Sequence, residues 1–126
     1  MKRNLASLAA AFGCAAAVLP AAATSHDTDM LKLASNAGCI ACHRVERGNT
    51  DGRPPIGPAW KDVTAKYKGQ QGAAAKLTDT VLTGSSPYDS HWKGKVSGYA
   101  MPPNAVAIKE ADAKKLVNWI LSLDPK

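Results

Sequence analysis

Cys39, Cys42 and His43 stand in C-x-x-C-H spacing within Cys39-Ile40-Ala41-Cys42-His43. That spacing is the attachment signature of a c-type haem. Each thiol can add across one vinyl group of the porphyrin, and the histidine beside the second cysteine can reach the iron. A soft second donor lies 58 positions after His43, where Tyr99-Ala100-Met101-Pro102-Pro103-Asn104 carries a thioether on a stiff Pro-Pro loop. Two axial ligands on a tethered haem leave no open iron position. Such a centre suits one-electron exchange between Fe(II) and Fe(III) better than oxygen chemistry.

The methionine inventory favours Met101. Met1 is the initiator and Met30 lies nine residues before Cys39, where core packing explains it. Met101 is held extended by the prolines that follow it. His91 is the rival distal ligand; otherwise it is a surface loop histidine. His26 falls near the start of the exported chain and is expected to be unstructured. Three other chemistries compete. A haem enzyme or sensor needs Met101 detached and an acid–base group nearby, for which His91 is the only candidate. A dithiol oxidoreductase using Cys39 and Cys42 needs a βαβ pattern, which the sequence lacks. A structural zinc site needs more ligands than Cys39, Cys42 and His43 supply.

These residues must be positioned by a small exported domain. Lys2 and Arg3 precede the apolar run Leu5–Leu19, and Ala21-Ala22-Ala23 supplies small residues for cleavage. We read 1–23 as a signal peptide and 24–126 as a single domain beginning near Thr24. The apolar run is shorter than the ~20 residues of a membrane span and is followed by Pro20. Cys14 is discarded with that peptide; a lipoprotein reading fits poorly because Phe12 precedes it and the apolar run continues beyond it. Export implies an oxidising, periplasmic space. Loss of Lys2 and Arg3 leaves 14 basic residues against 10 acidic ones, a charge of about +4 before the haem propionates. That excess argues for docking onto acidic-surfaced redox proteins and against nucleic acid as a partner. No other segment can span a membrane, and a monomer is expected.

The elements read as all-α. Asp29 to Asn36 is a short helix capped by Asp27 or Thr28 and stopped by Gly38. Arg44 to Ile56 is a loop. Pro58 opens a second helix over 59–67. Ala73 to Thr83 is a third, ended by Gly84. Ser85 to Asn104 is a long aperiodic loop. Glu110 to Leu123 is the clearest helix, with Ala113, Leu116, Ile120 and Leu123 on one side. The exported part has no Phe, so its own core is thin, and a buried haem would supply the missing apolar surface.

With these segments in view, the chain resembles the short bacterial monohaem cytochromes c of class I over essentially all of 24–126. The resemblance rests on Gly38-Cys39-Ile40-Ala41-Cys42-His43, Gly57-Pro58-Ala59-Trp60-Lys61-Asp62-Val63, Met101-Pro102-Pro103-Asn104-Ala105-Val106 and Trp119-Ile120-Leu121-Ser122. It implies a cytochrome c fold of four to five short helices around one covalently bound haem c. It also implies a soluble, non-enzymatic electron carrier between periplasmic or respiratory redox partners. The alternative is the haem-bearing subunit of a periplasmic dehydrogenase. By resemblance, Cys39 and Cys42 form the thioether links, and His43 and Met101 are the axial ligands. Pro58 presents its carbonyl to His43, Asn104 bonds near the Met101 sulfur, and Trp92 bonds a propionate. Gly38 lets the first and last helices cross closely beside Trp119. The loops 44–56 and 85–100 are longer than in the short members of the family. Thr80 stands where some relatives carry a propionate-binding Arg, which leaves Arg53, Lys93 and Lys95 as candidates for that charge.

Overall fold

A computed structural model describes residues 25–48 and 52–126. The expected signal peptide, Cys14, and residues 49–51 of the first long loop lie outside the described residues. Those described form four α-helices, α1 (Ser25–Asn36), α2 (Trp60–Tyr67), α3 (Ala73–Thr83) and α4 (Glu110–Ser122). A single 3-10 turn, Cys39–Ala41, separates α1 from α2. Among the described residues there is no β-strand.

Helix α4 organises the rest, because it packs against α1, α2 and α3 alike. Its buried face carries Ala113, Leu116, Val117, Trp119 and Ile120. Against it α1 contributes Met30 and Ala34, one turn apart. Ala34 and Ala113 are completely buried, and side chains this small let two helices approach closely. The crossing is fixed by a polar contact as well: Trp119 Nε1–H donates to Asp27 Oδ1 at 2.8 Å. Helix α2 is tied to α4 by Thr64, whose fully buried hydroxyl lies 2.5 Å from the Ile120 carbonyl and 2.9 Å from that of Trp60. Trp60 meets Trp119 edge-on, with ring centroids 5.5 Å apart, an arrangement favoured by the ring quadrupoles.

Three local expectations are corrected. Helix α1 extends back to Ser25, so Asp27 lies inside its first turn instead of capping it. Its carboxylate is engaged by Trp119 of a distant helix, which sequence periodicity does not register. His26 sits in that first turn and is therefore ordered in a helix. Gly38 does not serve a helix crossing, since a Cβ there would meet nothing within 4 Å. Its requirement is conformational, a φ of +77° at the head of the 3-10 turn, in the left-handed region that glycine enters without penalty. Helix α2 begins at Trp60, two residues after Pro58. The Trp60 and Lys61 N–H groups donate to the Arg44 and Val45 carbonyls at 2.8 and 3.2 Å. The stretch just after His43 thus satisfies donors that a helix start leaves unpaired.

Candidate haem site

The pentapeptide folds into a compact turn. Ala41 N–H donates to the Gly38 carbonyl, and both Cys42 N–H and His43 N–H reach the Cys39 carbonyl. Cys39, Cys42 and His43 thereby open onto one cavity. The two cysteines form no disulfide with each other, and burial pushes the Cys39 thiol above its ordinary pKa. A raised thiol pKa is the reverse of what a dithiol oxidoreductase needs, because the thiolate is the nucleophile in that chemistry.

The imidazole of His43 is confined on several sides. Its Nδ1 lies 2.8 Å from the Pro58 carbonyl oxygen. A carbonyl can only accept, so Nδ1 carries the proton and Nε2 keeps a free lone pair. Trp60 lies nearly parallel to the ring, with centroids 6.1 Å apart. Gly57 presses against it too. A Cβ at Gly57 would come within 2.9 Å of Cε1 and 3.1 Å of Nδ1 of His43. Gly57 N–H donates to the Cys42 carbonyl at 2.9 Å, which sets that close approach. Burial lowers the His43 pKa, and the hydrogen bond to Pro58 offsets part of the effect. The ring is thus held neutral, the form that can donate a lone pair to a metal.

Met101 reaches the same cavity from the long loop after α3. It is gripped by its backbone. Ser85 N–H donates to the Met101 carbonyl at 2.9 Å, and Met101 N–H donates to Ser85 Oγ at 2.8 Å. Gly84, with φ +88°, allows this approach, since a Cβ there would lie 2.9 Å from the Met101 oxygen and 3.0 Å from the Pro103 nitrogen. By sequence Gly84 is a helix stop; in the fold it also makes room for Met101. A lone Gly-Ser pair carries no signal for a contact made 16 residues away.

The cavity encloses about 1120 Å³ including its open mouth. Its walls are mainly apolar, with Val63 from α2, Leu77 and Val81 from α3, and Leu116, Val117 and Ile120 from α4. Two thiols, an imidazole nitrogen and a thioether on the border of one apolar cavity are the donor types that a doubly tethered, six-coordinate haem c would take. The residues present fit that group.

Other expected participants divide. Trp92 and Lys93 line the cavity, as does Thr80. Asn104 Nδ2 donates to the Pro102 carbonyl at 2.7 Å, next to Met101 in the chain. The Asn104 backbone is drawn the other way, its N–H donating to Val81 at 3.1 Å. His91 is not among the residues lining the cavity. Its ring packs edge-on to Trp92, centroids 4.7 Å apart, and its Nε2 lies 3.1 Å from Lys95 Nζ. Lys95 in turn lies over the Trp92 ring.

The two lengthened loops meet at one seam. Ser97 N–H donates to the Pro55 carbonyl at 2.8 Å and Gly98 N–H to the Ile56 carbonyl at 2.9 Å. The contact joins segments 42 residues apart, chiefly through backbone groups, so residue types alone do not signal it.

Comparison with known proteins agrees with this geometry. The family model described as Cytochrome c matches residues 31–124. Cytochrome c-552 of Nitrosomonas europaea is 40% identical over 109 residues, covering 86% of this chain and 89% of that protein. Cytochrome c-551 of Allochromatium vinosum is 43% identical over 93 residues, covering 74% and 84% respectively. Cytochrome c-551 of Pseudomonas aeruginosa is 39% identical over 90 residues, covering 71% and 72%. The crystal structure of wild-type Nitrosomonas europaea cytochrome c552 superposes with a TM-score of 0.57 at 41% identity, covering 73% of this chain and 96% of that one.

Proposed function

The chain belongs to the cytochrome c family, and from that premise we propose that His43 and Met101 are the axial ligands of its covalent haem, with Cys39 and Cys42 as the tethers. The protein carries one haem c and is an electron carrier, not an enzyme. When bound, that haem supplies a one-electron Fe(III)/Fe(II) couple. The chain's own residues set the terms. Pro58 holds the His43 tautomer and ring direction, leaving Nε2 to face the iron. The Met101 thioether is a soft donor that favours the reduced state. The apolar walls exclude water and so disfavour the extra positive charge of the ferric state. Trp92, from the cavity wall, is the proposed propionate donor, and Asn104 acts one step removed, by holding Pro102 beside Met101.

The observation that carries this reading is the convergence of Cys39, Cys42, His43 and Met101 on one apolar cavity, with His43 Nδ1 committed to Pro58. The test is an optical spectrum of haem-loaded protein matured in a periplasm. We expect a low-spin spectrum with the weak far-red Fe(III)–thioether band, absent in Met101→Ala. A high-spin ferric parent that binds cyanide at once would overturn it. The enzyme reading needs an acid–base group at the iron, and His91 lies off the cavity.

Electrons must enter from and leave to redox partners. We assign those partners acidic surfaces, on the grounds that Lys93 borders the cavity and Lys95 stands beside Trp92. Among the described residues no helix is long and apolar enough to cross a membrane. The Lys2-Arg3, Leu5–Leu19 and Ala21–Ala23 pattern supports export to the periplasm with cleavage of 1–23, leaving 24–126 as the working domain. An intact mass beginning at any residue far from Thr24 would refute that boundary.

A further inference from the structure

We infer that the seam joining Pro55-Ile56 to Ser97-Gly98 is a strap that positions Met101 against the His43 side of the cavity and keeps competing ligands off the iron. The inference rests on the ligand assignment above. Its basis is placement. Pro55 and Ile56 run directly into Gly57 and Pro58, the residues that confine and orient the His43 ring. Gly98 stands three residues before Met101. Ile56, Gly98, Tyr99 and Met101 all line the cavity. The seam therefore ties the loop that fixes one ligand to the loop that carries the other.

The contact is unusually close. Beyond the two backbone bonds, Ser97 Oγ–H also donates to the Pro55 carbonyl, at 3.2 Å. A Cβ at Gly98 would lie 2.4 Å from the Ile56 oxygen, a separation at which the backbones must part. Gly98 is not among the glycines of positive φ. Its hydrogen side chain is demanded by proximity alone, so alanine there strains the seam and not the local dihedral. Ser85 and Gly84 anchor Met101 to the end of α3; the strap supplies the second anchor, across the cavity.

The experiment uses the haem-loaded protein and imidazole as the competing ligand for ferric iron. Gly98→Ala is expected to bind imidazole on the order of tenfold more tightly than the parent, the equivalent of losing one or two backbone bonds. On alkaline titration its far-red band should be lost at a lower pH than in the parent, while helix content by circular dichroism is retained. Ser97→Ala, which removes only the hydroxyl contact, should shift imidazole affinity by about twofold and keeps the inference testable if Gly98→Ala fails to fold. Ser86→Ala is the control. It breaks a turn in the same loop, where Ser86 Oγ accepts the Tyr88 and Asp89 N–H groups, without touching the strap. Parental imidazole affinity in Gly98→Ala, or in Ser97→Ala where that variant stands in for it, would overturn the strap. So would a Ser86→Ala effect of equal size. A parent that lacks the far-red band would instead overturn the Met101 assignment beneath it.

Discussion

The two sides of the cavity hold their ligands in different ways. His43 is fixed as a ring: the Pro58 carbonyl accepts its Nδ1–H, Trp60 lies nearly parallel to it, and Gly57 leaves it no room to turn. Met101 is fixed as a stretch of backbone, through Ser85, Gly84 and the nearby seam at Gly98. Beside it, the Asn104 amide donates to the Pro102 carbonyl. The first arrangement specifies orientation and the second only location. On the proposed ligand assignment, a thioether placed by its backbone should leave the iron without unfolding the chain, whereas displacing His43 should disrupt the turn from which the cysteines project.

This contrast is broken most severely at the two tight glycines. Gly57→Ala should cost about 2–3 kcal/mol of holoprotein stability, since its methyl group meets both the His43 ring and the Cys42 carbonyl. Gly84→Ala carries a comparable steric penalty plus strain at φ +88°. The two should fail in different places. In denaturant, Gly57→Ala should lose the far-red band and the helical signal together. Gly84→Ala should lose the far-red band first. Coincident loss in both variants would erase the distinction between the sides.

Ser85→Ala tests the distal grip more gently. It removes the acceptor of the Met101 N–H but leaves the reciprocal Ser85 N–H bond. We expect about 1 kcal/mol, or roughly fivefold, in the equilibrium for Met101 detachment, followed by the pH midpoint of the far-red band. Ser85→Thr keeps the hydroxyl and should restore it. Asn104→Ala should do less. Because its amide donates to the Pro102 carbonyl, its midpoint potential should move by only ~20 mV, the equivalent of about 0.5 kcal/mol for one electron. A shift several times larger by protein-film voltammetry would mean that Asn104 acts on the sulfur after all.

The same division decided what could be read before the fold was known. Cys39, Cys42, His43 and Met101 announce themselves by residue type, because thiols, imidazole and thioether have few other uses at such spacing. Helix α3 was legible to its ends, since local signals at Gly72 and Gly84 agree with its periodicity. The start of α1 was not, because Asp27 answers to Trp119, 92 residues away. Gly38 was read as a packing glycine and is a dihedral one; Gly57 and Gly98 are the packing glycines. A glycine in a sequence does not say which of its two properties is in use. The Ser85 grip and the strap join distant segments, and the serine and glycine that complete each are too common in loops to mark the contact.

Acid provides the mildest separation of the two sides. Burial, against a smaller opposing effect of the Pro58 carbonyl, holds the folded-state pKa of His43 below its ordinary value of 6.5. The unfolded chain takes up that proton near 6.5, whereas the folded chain does not until the pH is lower. The contribution of neutral His43 is therefore complete above about pH 6.5 and drains away as the pH falls toward the folded value, with a slope of at most ~1.4 kcal/mol per pH unit for one proton. Iron ligation acts in the same direction, since a protonated imidazole cannot bind. Met101 has no proton to gain, so the far-red band should persist from pH 7 to 5.5 while the denaturation midpoint declines. Stability that rises on acidification would contradict the buried, neutral His43. A far-red band lost before the midpoint moves would show that the distal grip carries a titrating group of its own.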